Sequence, residues 1–305
     1  MPQPGAEASA YRASLPAIWS ALISVYLIWG STYLAIRYAV ETTPPFLMAA
    51  IRFLISGGFL YALRRLRGDP RPKAVEWRSA AIIGAFLLVG GNGSVAWAEQ
   101  YVTSSLAALL VATVPLWMVL LDTFRPGGHP PGFIASAGIL VGFGGVILLI
   151  GSESAGADTM NLAGGAALVV ASVFWATGSI YGKSALLPPS QLLGTGMEML
   201  AGGAALLLVS LAFGEWSGFE LGAVSQRSAL ALAYLTVIGS VAFVAYVWLL
   251  RVAPTPLVAT YAYVNPLVAV LLGYFLAQEP MTSRTLLGAA LIIGSVVLVS
   301  TPSRR

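Results

Sequence analysis

The stretch "AAIRFLISGG" (residues 49–58) places an arginine, Arg52, in the middle of an otherwise apolar run. A second stretch, "GTGMEMLAGG" (residues 194–203), carries Glu198 in a similar setting, 146 residues later (198 − 52). A pair of small residues follows each charge. A charge near the centre of a bilayer costs roughly 2.5–3.5 kcal/mol on insertion scales. Each of these residues therefore needs a structural or a functional reason.

The composition predicts a membrane protein. The chain of 305 residues is 58% hydrophobic and 9% charged, with a mean hydropathy of +0.84. Soluble domains carry about a quarter charged residues, so this chain lacks the polar residues to cover a water-facing surface. A β-barrel shows short stretches of alternating polarity, whereas these apolar runs are continuous and twice as long. The predicted fold class is all-α and polytopic, with room for roughly ten transmembrane helices.

Apolar runs between polar, proline- and glycine-rich segments give ten predicted spans. They cover about 17–39, 45–63, 79–98, 103–123, 132–151, 161–183, 190–213, 228–250, 255–276 and 282–301. The predicted organisation is an N-terminal tail (1–16) followed by two five-helix units (17–151 and 161–301).

The distribution of lysine and arginine predicts the orientation. With a cytoplasmic N-terminus, twelve of the 16 basic residues fall on the cytoplasmic side, three on the other side, and Arg52 inside a span. We therefore expect both termini, and the tail 1–16, in the cytoplasm. The basic residues flank apolar runs, which is the pattern of membrane topology rather than of nucleic-acid binding.

The two halves of the chain resemble each other. "WGSTYLAIR" from Trp29 aligns with "WATGSIYGK" from Trp175 at the offset of 146 that also relates Arg52 to Glu198. "AALLVATVP" ending at Pro115 aligns with "VATYAYVNP" ending at Pro266. Since each half holds five spans, the second copy enters the membrane from the opposite side. The pattern predicts an inverted repeat, which permits alternating access with substrate near the bilayer midplane.

These features resemble the EamA-type branch of the drug/metabolite transporter superfamily. The resemblance rests on ten spans in two copies, "WGSTYLAIR" in span 1, "PPFLMAAIRF" opening span 2, the prolines in spans 4 and 9, and "GAALIIGSVVL" in span 10. It implies a bacterial inner-membrane exporter of amino acids and related metabolites, with relatives that move drugs or sugar nucleotides. It also implies a central cavity lined mainly by spans 1, 3, 4, 6, 8 and 9, with spans 5 and 10 peripheral.

Candidate substrate-binding residues lie within spans and carry an aromatic ring, a hydroxyl or an amide. They are Trp29, Asn92, Trp117, Trp175, Ser179, Tyr246, Tyr261 and Asn265. Trp29 and Trp175 lie near the middle of their spans, away from the span ends where aromatic belts occur. Helix packing and lipid exposure are the alternatives for the tryptophans, and an interhelical hydrogen bond is the alternative for Asn92. Together these residues predict a pocket for a small amphipathic solute with an apolar side chain.

Pro115 and Pro266 are predicted to break spans 4 and 9. Each proline removes a backbone donor and frees the carbonyl four residues earlier, at Val111 and Ala262. In a membrane a freed carbonyl must find a partner or face a polar cavity. Two broken helices in matching positions indicate a transporter site, and a simple packing kink is the alternative.

The intramembrane charges Arg52 and Glu198 are expected at mirrored depths rather than side by side. Arg52 lies about 10 Å below the outer surface, at 1.5 Å per helical residue. We expect separate partners instead of a salt bridge: backbone carbonyls or snorkelling for Arg52, and hydroxyls or a proton for Glu198. Proton coupling through Glu198 is the functional alternative.

In span 5, Gly138 and Gly142 form G-x-x-x-G, which predicts close helix packing or dimerisation.

The predicted function is secondary export of amino acids, including bulky apolar or aromatic ones, and of related small amphipathic metabolites by alternating access. Export of drugs or other metabolites is the alternative, and a membrane enzyme or a channel is a more remote one. The sequence holds no Walker loop, no H-E-x-x-H motif and no cysteine, and its single histidine, His129, lies in the loop "RPGGHPPG". We expect a monomer in lipid, with no cofactor, metal or nucleic acid.

Overall fold

The computed structural model describes residues 14–124, 130–153, 159–253, 257–258 and 260–300, and this part of the chain is helical, without strands. Ten helices, α1 to α10, follow one another along the chain. They are Leu15–Ala39, Pro45–Leu66, Ala74–Ala98, Ser104–Thr123, Phe133–Glu153, Thr159–Gly182, Gln191–Ala212, Gln226–Val252, Tyr261–Ala277 and Ser283–Ser300. His129 lies outside the described residues.

The predicted fold class, an all-α polytopic membrane protein, is confirmed. Helices α1 to α8 are long and apolar enough to cross a membrane, and α9 and α10 are shorter apolar helices. Large apolar side chains lie on the outer surface, including Phe59, Phe133, Leu140 and Leu208, where lipid would solvate them. The inverted repeat and the orientation of the termini stay predictions.

Helices α2 and α7, which carry the two intramembrane charges, pack closely through small residues. A Cβ atom built on Gly57 would lie 2.9 Å from the carbonyl oxygen of Gly196, and one built on Gly196 would lie 3.1 Å from that of Gly57. Only glycine allows two helix backbones to approach so closely. The small residues noted in the sequence therefore bring α2 and α7 together.

Helix α5 packs on α10 through its G-x-x-x-G face. A Cβ atom on Gly138 would lie 3.1 Å from the carbonyl oxygen of Ser295, and one on Gly142 would lie 2.6 Å from the Ser295 hydroxyl. The face that the sequence offered for packing or dimerisation thus contacts another helix of the same chain.

Two carboxylates cap helices at the end of the bundle where α2 and α4 begin. Glu215, after α7, accepts hydrogen bonds from the backbone N–H groups of Phe46 (3.2 Å) and Leu47 (2.8 Å) in the first turn of α2. Glu279, after α9, accepts from the backbone N–H groups of Ser104 (2.8 Å) and Ser105 (3.0 Å) in α4. A carboxylate satisfies the free N–H groups and the positive dipole of a helix start.

Candidate functional site

A cavity of about 200 Å³ lies inside the helical bundle, between the first and second halves of the chain. Its described lining comes from α1 to α4 and from α6 to α9. No described residue of α5 or α10 lines it, as the resemblance implied. Two helices depart from that expectation: Arg52, Phe53 and Ser56 of α2 line the cavity, and so does Met199 of α7. The volume is small for a ligand pocket and fits a small solute.

An aromatic cluster of α1, α8 and α9 forms one wall. The ring centroid of Trp29 lies 4.9 Å from that of Tyr246, 5.3 Å from that of Tyr261 and 6.1 Å from that of Phe243. Trp29, Tyr261 and Phe243 line the cavity. Tyr246 does not line it: this residue packs against the other three rings, so it supports the wall rather than forming its surface.

Trp175 of α6 also lines the cavity. Its ring lies against α3, where a Cβ atom built on Gly91 would come within 2.8 Å of the Trp175 ring atom Cε3. Gly91 thus leaves the space that the indole occupies. The repeat mates Trp29 and Trp175 both lie in the lining, as their mid-span positions predicted.

Helix α3 contains a π-helical segment that the sequence did not reveal. It runs from Ala85 to Gly93 and includes the cavity-lining Asn92. The Asn92 amide donates a hydrogen bond of 3.4 Å to the carbonyl of Leu87. Turns of π-helix are frequent at functional sites, and this segment supplies Leu88, Gly91 and Asn92 to the α3 face of the cavity. The glycines at positions 90, 91 and 93 were its only sequence signal.

Helix α4 is interrupted beside Pro115, as predicted. Its first part ends at Val111 and its second part begins at Val114, with Pro115 in the first turn. The hydroxyls of Thr113 and Ser172 both donate to the Leu110 carbonyl, at 2.6 and 3.2 Å. Val111, whose carbonyl the proline leaves without its helical partner, lines the cavity.

The predicted break at Pro266 is not seen, because α9 runs without interruption from Tyr261 to Ala277. Pro266 is the sixth residue of this helix, past its first turn, so its ring obstructs the bond to the Ala262 carbonyl without ending the helix. Ala262, the residue whose carbonyl Pro266 obstructs, still lines the cavity, as does Asn265.

Trp117 and Ser179 lie away from the cavity lining. Trp117 packs against Phe143 of α5, with ring centroids 4.8 Å apart. The Ser179 hydroxyl donates to the Trp175 carbonyl of its own helix, at 2.7 Å. Trp117 lies on a face of α4 other than the cavity face, which hydropathy does not reveal. Ser179 lies on the same face of α6 as Trp175 but one turn farther along the helix, outside the described lining. Four cavity-lining residues with a hydroxyl were missed instead: Thr32, Tyr33, Ser56 and Ser240. Thr32 and Ser56 lie one turn from Trp29 and Arg52.

The two intramembrane charges differ in position. Arg52 lines the cavity, whereas Glu198 is partly buried and is not among the described lining residues. The side-chain ion pairs found between described residues join Arg37 to Glu279, Arg64 to Asp69 and Arg227 to Glu41. Arg52 and Glu198 thus form no salt bridge with each other within the part of the chain that the structure describes, in keeping with the prediction.

Apolar helices around an aromatic-lined cavity define a multi-pass membrane protein of the solute-transporter class. The chain belongs to the EamA-like transporter family, whose model matches residues 15–151 and 162–301. The family predicted from the sequence is thereby confirmed.

Curated relatives agree with this assignment, and one solved structure is similar in fold. The chain is 41% identical over 293 residues to the uncharacterized inner membrane transporter YedA of Escherichia coli K12, covering 95% of this chain and 92% of YedA. An uncharacterized transporter of Archaeoglobus fulgidus is 25% identical to this chain, and the aligned region covers 90% of this chain and 94% of that transporter. A crystal structure of 22% sequence identity superposes with a TM-score of 0.61, over 93% of this chain and 98% of the other, and shares the fold.

Proposed function

We propose that this transporter exports amino acids, including bulky apolar or aromatic ones, and related small amphipathic metabolites across the bacterial inner membrane. The observation that carries the proposal is the cavity, which combines the rings of Trp29, Trp175 and Tyr261 with the amides of Asn92 and Asn265. Aromatic walls contact an apolar side chain, while the amides and hydroxyls bind a polar head group. The inner-membrane location follows that of the relative YedA, which is described as an inner membrane transporter.

Alternating access is the mechanism that we propose for this transport. The cavity lies between the two halves, and α4 is interrupted beside it. Such an interruption is a position where a helix can bend, so that one half rocks against the other and opens the cavity to either side. Both termini would face the cytoplasm, and the transporter would act as a monomer without catalysing a reaction.

Export of drugs or other metabolites is the second candidate, because most of the cavity wall is apolar or aromatic. Sugar nucleotides and phosphates fit less well. A multiply charged anion needs several buried counter-charges, and the described lining holds one cation, Arg52.

Efflux from proteoliposomes tests the proposal. Purified protein would be reconstituted with a panel of internal solutes: apolar, aromatic, polar and charged amino acids, and cationic drugs. Efflux would be followed with and without a pH gradient. We expect efflux of apolar and aromatic amino acids above that from protein-free liposomes. Efflux of the drugs alone would favour the second candidate and contradict the first.

A further inference from the structure

Arg52 is the one charged residue in the described lining of the cavity. Its guanidinium lies over the ring of the adjacent Phe53, with Cζ 4.7 Å from the ring centroid. It approaches α8, where a Cβ atom built on Gly239 would lie 3.6 Å from the Nη2 atom. Gly239 therefore lets α8 approach the guanidinium without placing a side chain against it.

The partners expected for Arg52 from the sequence are not found. Within the described part of the chain, no carboxylate lies within ion-pair distance of the guanidinium, and no backbone carbonyl accepts a hydrogen bond from it. The side chain is partly buried along the cavity, one-third of the way into α2, rather than extended to the membrane surface. A cation held inside a membrane without a counter-charge is costly, and a bound anion would remove that cost.

Asn265 supplies a second, independent observation. This residue is 8% exposed and lines the same cavity from α9. Its side-chain Oδ1 atom is buried and accepts no hydrogen bond within the described residues. A buried acceptor without a partner is unfavourable by about 1–3 kcal/mol. The cavity therefore presents one unpaired cation and one unpaired acceptor.

We propose that Arg52 binds the carboxylate of the transported solute and that Asn265 accepts a hydrogen bond from an N–H group on it. Guanidinium and carboxylate form two parallel hydrogen bonds, a geometry that lysine cannot reproduce. The apolar side chain of the solute contacts Trp29 and Trp175. The cavity thus selects monocarboxylates with an apolar body, and Asn265 favours those that also carry an ammonium group. This assignment rests on the proposed transport function.

Four probes that share a phenyl group separate the contribution of the carboxylate from that of the amino group. They are L-phenylalanine, 3-phenylpropanoate, L-phenylalaninamide and phenethylamine. Binding to the purified protein would be measured by quenching of tryptophan fluorescence, since Trp29 and Trp175 line the cavity. We expect L-phenylalanine and 3-phenylpropanoate to bind at least about tenfold more tightly than L-phenylalaninamide and phenethylamine. A difference of this size is the effect of one charge-assisted hydrogen-bonding pair.

Variants assign the effect to residues. Arg52→Gln should weaken both carboxylates about tenfold or more and leave phenethylamine unchanged, while Arg52→Lys should restore part of the loss. Asn265→Ala should weaken phenylalanine and leave 3-phenylpropanoate, which has no N–H group, unchanged. Arg71→Gln, in an exposed loop, is the matched control and should bind like the parent. Size-exclusion profiles would show whether each variant is folded. If Arg52→Gln aggregates, the carboxylate affinity of Arg52→Lys is the deciding measurement.

Equal affinity of the parent for phenethylamine and the carboxylates, or carboxylate affinity that Arg52→Gln leaves intact, would overturn the assignment. Transport itself is judged by the efflux panel. Efflux restricted to solutes without a carboxylate would leave the transporter function standing and remove the role of Arg52. Carboxylate binding without any efflux would leave the assignment standing and contradict the proposed transport.

Discussion

Glu279 caps the start of α4 at Ser104, where its Oε1 atom accepts one hydrogen bond from the backbone N–H and one from the hydroxyl, both of 2.8 Å. The other carboxylate oxygen accepts the same pair of groups from Ser105. Glu279 is 6% exposed and follows α9. One side chain of the second half of the chain therefore fixes the start of a cavity helix of the first half.

Replacing this carboxylate should destabilise the protein. In Glu279→Gln the amide keeps one acceptor oxygen and turns an N–H group toward buried donors, so part of the cap is lost. We expect a loss of roughly 1–3 kcal/mol in the free energy of unfolding, measured as a lower melting temperature in detergent. Glu220→Gln, at an exposed position, is the control. Equal melting temperatures for the two variants would show that the cap contributes little.

A pH-dependent stability is expected from Glu99, which follows the last turn of α3 and is 2% exposed. Burial raises the pKa of this carboxyl, the nearby Arg37 opposes that effect and Glu279 adds to it. An acid whose pKa is higher in the folded state than in the unfolded state costs stability once it is ionised. The parent should therefore lose stability as the pH rises above the ordinary value of 4.5.

Glu99→Gln removes this ionisable group. Its melting temperature should exceed that of the parent at neutral pH, and the difference between the two should shrink toward pH 4, where both side chains are neutral. Thermal unfolding in detergent between pH 4 and pH 8 measures this. A constant difference over the whole range would mean that Glu99 does not titrate between folded and unfolded states as expected.

The two tryptophans Trp175 and Trp117 should respond differently to alanine. Trp175→Ala removes a cavity wall and should lower the affinity for aromatic solutes about tenfold, with near-normal expression. Trp117→Ala removes a contact with Phe143 and should cost roughly 1–3 kcal/mol of stability while leaving solute preference unchanged. Proteoliposome transport over the solute panel compares them. Unchanged preference in Trp175→Ala would assign this residue to packing.

Glu198→Gln should keep both transport and its response to a pH gradient. The residue lies on α7, outside the described lining of the cavity, and glutamine retains its hydrogen-bonding shape. Parent and variant would be compared in liposomes with imposed gradients of both signs. A parent driven by the gradient, beside a variant that ignores it, would make Glu198 the coupling residue.

Both termini are predicted to lie in the cytoplasm, because twelve basic residues then fall on the cytoplasmic side and three on the opposite side. Fused reporter proteins test this orientation. An alkaline phosphatase fused after Arg305 should be inactive, and a green fluorescent protein fused there should be bright. The same pair placed in the loop after α7, near Gly218, should give the reverse result. Strong phosphatase activity at Arg305 would contradict the ten-helix topology with both ends in the cytoplasm.

The sequence by itself determined the class of protein, the number of apolar helices and their approximate ends. These features depend on local sequence. A long run of apolar residues must be helical in lipid, and the helix ends where polar residues, glycine or proline follow. Pro115 was also correctly predicted to interrupt α4, because a proline within a helix removes a donor wherever the helix packs. Pro266 has the same local chemistry, yet α9 continues through it, so a proline alone did not determine a break.

Only the tertiary structure decided which face of each helix meets the cavity. A tryptophan in the middle of a span can line a cavity or pack between helices. Hydropathy is the same in both cases, so it could not show that Trp175 lines the cavity and that Trp117 packs against another helix. The rotation of a helix about its axis is set by close approaches such as that of Gly57 to Gly196, which depend on partners distant in sequence. For the same reason the sequence showed that Arg52 is charged, whereas the fold showed that it faces the cavity without a counter-charge.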